Sequence, residues 1–196
     1  MAYLALYRKY RPTDFDEVAG QKEIIKVLKN SIENNKVSHA YLFSGPRGTG
    51  KTTSAKIISK LVNCENLVDG KLCGKCRSCL SVDNNDIIEI DAASNNGVDE
   101  IREIRDNANL VPSNCKYKIY IIDEVHMLTT QAFNALLKTL EEPPKHIIFI
   151  LATTEYYKIP LTVVSRCQRF QFNKLNESEI VSRLKYISGE EKIDIT

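Results

Sequence analysis

One octapeptide constrains this chain more than any other stretch: Gly45-Pro46-Arg47-Gly48-Thr49-Gly50-Lys51-Thr52. It fits the pattern G-x-x-x-x-G-K-[ST], with a short apolar run at residues 40–43 before it and an amphipathic stretch at residues 52–63 after it. Strand, glycine-rich loop and helix in that order make a P-loop. Its backbone N–H groups converge on phosphate oxygens, and the helix N-terminus adds a partial positive charge. Lys51 is suited to the outer phosphates and the Thr52 hydroxyl to Mg2+, with Thr53 next along the same helix. Residues 45–53 are therefore the expected seat of ATP.

The rest of the chain alternates in the same manner. Apolar spacing predicts helices over residues 21–36, 52–63, 98–108 and 131–141, and strands over residues 40–43, 87–90, 118–122, 147–152 and 169–172. Strands alternating with helices imply a mainly parallel sheet with helices on both faces. Pro143 and Pro144 stop the fourth helix, since neither supplies a backbone donor. The strand at 118–122 ends in Asp123-Glu124. Downstream of a P-loop, Asp123 is suited to hold Mg2+ and Glu124 to polarise an attacking water, which predicts hydrolysis as well as binding. After Phe172 the pattern changes. Asn176 with Glu179 reads as an N-cap and capping box, Ile180, Leu184 and Ile187 as an apolar face, and Gly189 as the stop. The expected division is a nucleotide-binding domain over residues 1–172 and the start of a helical lid, cut short, over residues 173–196.

Six cysteines occur, and four cluster as Cys64-x8-Cys73-x2-Cys76-x2-Cys79. An all-sulfur set with two tight steps suits structural Zn2+, with an iron–sulfur centre or a redox pair as the alternatives. Zinc would staple an inserted knuckle at about residues 64–79. Net charge is only +2, so the chain as a whole lacks the basic excess of a nucleic-acid binder. No apolar run approaches the length of a membrane span. The opening residues also lack the basic head and cleavage site of a secretory leader, so a cytoplasmic protein is expected. No set of separated acids suits two-metal nucleotidyl transfer. His39, His126 and His146 are read as packing residues.

With these motifs in hand, the chain resembles the gamma/tau clamp-loader ATPase family of bacterial DNA polymerase III, in the AAA+ class. The resemblance rests on Tyr7-Arg8-Lys9-Tyr10-Arg11-Pro12, Val18-Ala19-Gly20-Gln21, the P-loop and the four cysteines. It extends through Asp123-Glu124-Val125-His126-Met127-Leu128, Leu151-Ala152-Thr153-Thr154 and Ser165-Arg166-Cys167. It implies an AAA+ fold and a subunit of the DNA polymerase III holoenzyme that has no polymerase chemistry of its own. The implied partners are the other subunits of a homo- and hetero-oligomeric clamp-loader ring, a sliding clamp, and primed DNA held through its phosphate backbone. It also implies that Arg11, Pro12 and Val18 wall the adenine pocket, that Thr154 senses the gamma-phosphate, and that Arg166 acts in trans as an arginine finger. The family's second sensor arginine would lie beyond residue 196.

Overall fold

The structure, a computed structural model, describes residues 5–80 and 85–194. The first four residues of the leader reading, and the last two of the segment over residues 173–196, lie outside the described residues. In chain order the elements are α1 (Leu6–Lys9), α2 (Lys22–Glu33), β1 (Ala40–Ser44), α3 (Lys51–Asn63), α4 (Arg77–Leu80), β2 (Ile87–Asp91) and α5 (Val98–Ala108). There follow β3 (Lys118–Asp123), α6 (Thr130–Glu141), β4 (Ile147–Thr153), α7 (Leu161–Val164), β5 (Gln168–Gln171) and α8 (Glu177–Glu191).

The five strands form one parallel sheet in the order β2-β3-β4-β1-β5. Residues of β4 alternate between the two faces, as the two-residue period of a strand requires. Ile147, Phe149 and Leu151 join one core, with Ile101 and Ile104 of α5 and Phe133, Leu136 and Leu140 of α6. Ile148, Ile150 and Ala152 join the other, with Leu28 and Ile32 of α2 and Ile58 and Leu61 of α3. Every residue of β4 is buried, which is why its sequence is apolar up to Thr153 instead of alternating.

Register brings the carboxyl ends of the strands together: Ser44 lies beside Thr153 and Gln171, and Asp91 beside Asp123. Ligands of such sheets bind outside these ends, where neighbouring connections diverge. The chain diverges at β1, whose next strand in sequence lies at the far edge of the sheet.

Several boundaries differ from expectation by one residue or more. The helix at residues 21–36 is shorter, because Asn35 adopts φ 53° and leaves the helical region. The last strand starts one residue early, although Phe172 N–H still donates to the Ser44 carbonyl at 2.7 Å. Gly189 does not end α8: the helix runs on to Glu191 and closes at Lys192, whose φ is 56°. Glu191 explains the extension. Its carboxylate accepts from Lys9 Nζ and Tyr10 Oη, both at 2.6 Å. The capping box at Asn176 and Glu179 is present as expected.

Candidate active site

Between β1 and α3 the loop closes on itself. Lys51 Nζ donates to the carbonyls of Gly45 and Pro46, each at 2.8 Å, and Thr49 Oγ1 donates to Pro46 O at 2.8 Å. Lys51 is only 6% exposed. Burial pushes its ammonium pKa below the ordinary value, while the carboxylates of Glu124 and Asp123 oppose that shift. A buried, poorly hydrated cation facing a cleft is well placed to take an anionic ligand.

The first turn of α3 meets the end of β3, where Thr52 Oγ1 donates to Asp123 Oδ2 at 2.7 Å. A hydroxyl and a carboxylate are hard oxygen donors of the kind Mg2+ takes alongside water and phosphate oxygens. Glu124 follows with a left-handed backbone, φ 46°. Its Oε2 accepts from Thr154 Oγ1 at 2.9 Å and from Thr154 N–H at 3.2 Å. The imidazole of His126 sits behind this pair: Nδ1 lies 3.0 Å from Thr153 Oγ1 and 3.4 Å from Glu124 Oε2, and Nε2 lies 3.3 Å from Glu155. The packing role expected for His126 thus omits two carboxylate contacts.

These groups open onto a cleft of about 620 Å³. Arg11, Pro12 and Val18 line one side, residues 47–53 the floor, and Asp123 and Glu124 the end of the sheet. Gly45 and Pro46 stand behind the wall, supplying the carbonyls that hold Lys51. Thr154 reaches the cleft only through Glu124. Arg166 is elsewhere: Nη2 pairs with Glu141 at 2.6 Å and Nη1 donates to Thr162 O at 2.6 Å. Sequence reasoning missed Asp91, Leu175 and Arg183, which also line the cleft. Asp91 was discoverable as a strand-end acid. Leu175 and Arg183 come from the segment around α8, and no local pattern marks their direction.

The four clustered cysteines converge after α3. Their Sγ atoms lie within 4.8 Å of one another, with Cys64–Cys79 at 3.7 Å and Cys73–Cys79 at 3.9 Å. Tetrahedral thiolates about 2.3 Å from one ion would stand roughly 3.8 Å apart, whereas a disulfide needs about 2.05 Å. The donor set therefore fits a single four-coordinate metal. Backbone N–H groups of Lys75 and then Cys76 hold the Cys73 thiol down to about 6, while burial pushes Cys79 up to about 12. Among the described residues no helix is long and apolar enough to cross a membrane.

A family model described as DNA polymerase III, delta subunit, matches residues 20–176. The tau subunit of Bacillus subtilis is 58% identical over 198 residues, covering 100% of this chain and 35% of that protein. The tau subunit of Escherichia coli is 45% identical over 196 residues, covering 98% of this chain and 30% of that protein. The chain thus spans about a third of the length of the tau subunits it matches. Among solved structures, a gamma subunit-related protein of Thermotoga maritima has TM-score 0.61 and 25% identity, over 86% of this chain and 52% of that one. The RuvB Holliday junction branch migration motor of the same organism has TM-score 0.69 and 21% identity, over 95% of this chain and 56% of that one. The five-stranded sheet and its P-loop are those of the AAA+ fold.

Proposed function

Because the chain belongs to the family described as DNA polymerase III, delta subunit, and matches its gamma and tau relatives along its whole length, we propose that it binds and hydrolyses ATP as a subunit of the bacterial clamp loader. The observation that carries this is the contact of Thr52 with Asp123 at 2.7 Å, beside a buried Lys51 and the carboxylate of Glu124. In this reading, loop N–H groups over residues 45–52 and Lys51 hold the phosphates, and Arg11, Pro12 and Val18 receive the adenine. Thr52 and Asp123 would hold Mg2+, whose charge offsets that developing on the phosphates. Glu124, released from Thr154, orients the attacking water, and Thr154 reports the gamma-phosphate. Arg166, breaking its pair with Glu141, reaches the nucleotide of a neighbouring subunit.

Residues 1–172 then form the nucleotide-binding domain and residues 173–196 begin a helical lid. In support, Ile180, Val181 and Leu184 of α8 remain 40–54% exposed. The metal at the cysteines is Zn2+ in a structural role, since four protein thiolates leave no open position. The assembled ring acts in the cytoplasm. It opens a sliding clamp and closes it around primed DNA, which it holds through phosphates without sequence preference.

The test is ATP turnover by the full-length chain assembled with its partner subunits, with clamp and primed DNA added separately and together. Stimulation only when both are present, abolished by Lys51→Ala, is the expected result. Turnover indifferent to the clamp would indicate another AAA+ motor, and none at all a nucleotide-binding scaffold.

A further inference from the structure

Gln21 makes three hydrogen bonds with its side-chain amide, and together they join two parts of the molecule that lie far apart in sequence. Oε1 accepts from Asn173 N–H at 3.1 Å, and Nε2 donates to Asn173 O at 2.7 Å. Nε2 also lies 3.4 Å from the carbonyl of Thr49, in the phosphate loop. Asn173 is in the short connection that carries β5 into α8. One amide therefore holds both backbone groups of that connection and touches the loop that faces the phosphates.

Two close approaches reinforce the junction independently. A Cβ on Gly45, the first loop glycine, would lie 2.2 Å from the carbonyl oxygen of Phe172. A Cβ on Gly20 would lie 2.7 Å from Leu175 Cδ2. At Gly45 the obstacle is backbone, so only glycine fits; at Gly20 the Leu175 tip can turn aside, and it is φ 67° that favours glycine. Gln21 itself adopts φ 57°, an uncommon conformation for a side chain of its size, and it caps α2 without a side-chain bond to that helix. Its amide is thereby free to face the junction. Leu175 within the connection and Arg183 within α8 line the cleft, and Arg183 Nη2 donates to Tyr10 O at 2.6 Å.

We propose that Gln21 is a positioning residue that couples the phosphate loop to the connection preceding α8, so that a nucleotide in the cleft sets the position of α8. This rests on the reading of the cleft as an ATP site. When the loop carbonyls reorient around phosphate, Thr49 O moves relative to an amide already held by Asn173, and the connection follows. Gln21→Ala removes all three bonds. Gln21→Glu keeps the acceptance from Asn173 N–H, removes both donations, and carries the test if the alanine variant does not fold.

The experiment is amide hydrogen exchange on the full-length chain with and without ADP at saturating concentration. In the wild type, ADP is expected to protect the phosphate loop at residues 45–52 together with residues 172–183. In either variant, loop protection is expected to persist while protection at residues 172–183 falls to the nucleotide-free level. Joint protection retained in the variants would overturn the coupling role and leave the ATP site standing. No ADP-dependent protection anywhere in the wild type would overturn the ATP site itself, and the coupling with it.

Discussion

Glu124 is held by the residue proposed to sense the gamma-phosphate. Both donors on its Oε2 come from Thr154, so a side chain needed to orient water is restrained by one that reports phosphate. A hydrogen bond to a charged group is worth about 1.5–3 kcal/mol. Thr154→Val keeps the shape and the N–H bond but loses the hydroxyl. It is expected to lower kcat by roughly 10- to 100-fold with KM little changed, because the hydroxyl that would report the gamma-phosphate once it leaves Glu124 is lost, and a hydrogen bond to a charged group is of that size. Steady-state kinetics on the assembled complex check this, and a rise in KM alone would count against it. Lys51, Thr52, Asp123 and Glu124 were legible in the sequence because each sits at a fixed offset from a strand or helix end. His126, Gln21 and Arg183 were not legible as contacts, since their partners at Glu155, Asn173 and Tyr10 are set by packing between distant segments.

Among the elements, the cysteine knuckle contributes a single well-buried apolar group, Cys76, so a metal at the four thiols is expected to hold its order. Neighbouring bonds tie its ends to the sheet. Asn63, at the end of α3, exchanges two bonds with the backbone of Tyr117, at 2.8 and 3.0 Å. The carboxylate of Asp86 accepts from the N–H groups of Ser113, Asn114 and Cys115. Chelation is therefore expected to lower Tm and to raise hydrogen exchange over residues 64–79, with nucleotide binding retained. Loss of DNA affinity on chelation, with stability unchanged, would instead make the knuckle a DNA-contacting module. Element types were readable because apolar period and length differ between strand and helix. The end of α8 was not. Glycine costs a helix interior only about 0.5–1 kcal/mol relative to alanine, which contacts such as those of Glu191 with Lys9 and Tyr10 can offset.

For the whole molecule, alternation predicted a parallel sheet but not its order. Periodicity reports what an element is and which side it buries, whereas the neighbour of β1 is decided by how the connections cross the sheet. The placement of β1 between β4 and β5 brings Thr153 and Gln171 level with Ser44, at the strand end from which the phosphate loop departs. The geometry within one chain leaves Arg166 outside that cleft, paired with Glu141. A role in trans predicts that Arg166→Ala slows hydrolysis at the adjoining subunit by roughly 10³–10⁵, the range for arginine fingers. Nucleotide binding by the mutated subunit would be preserved. Mixed assemblies separate the two effects, and equal loss of both would reduce Arg166 to a surface ion pair.

The most direct measurement compares ATP binding and ATP turnover, on the same assembled full-length preparations, for the wild type, Lys51→Ala and Glu124→Gln. If the cleft holds ATP through Lys51 and cleaves it with Glu124, Lys51→Ala loses both binding and turnover. Glu124→Gln would bind as tightly as the wild type and turn over about 10²–10⁴-fold more slowly, the usual contribution of a positioned base. Wild-type turnover in Glu124→Gln, or undiminished binding in Lys51→Ala, would contradict the assignment of this cleft as the site of hydrolysis.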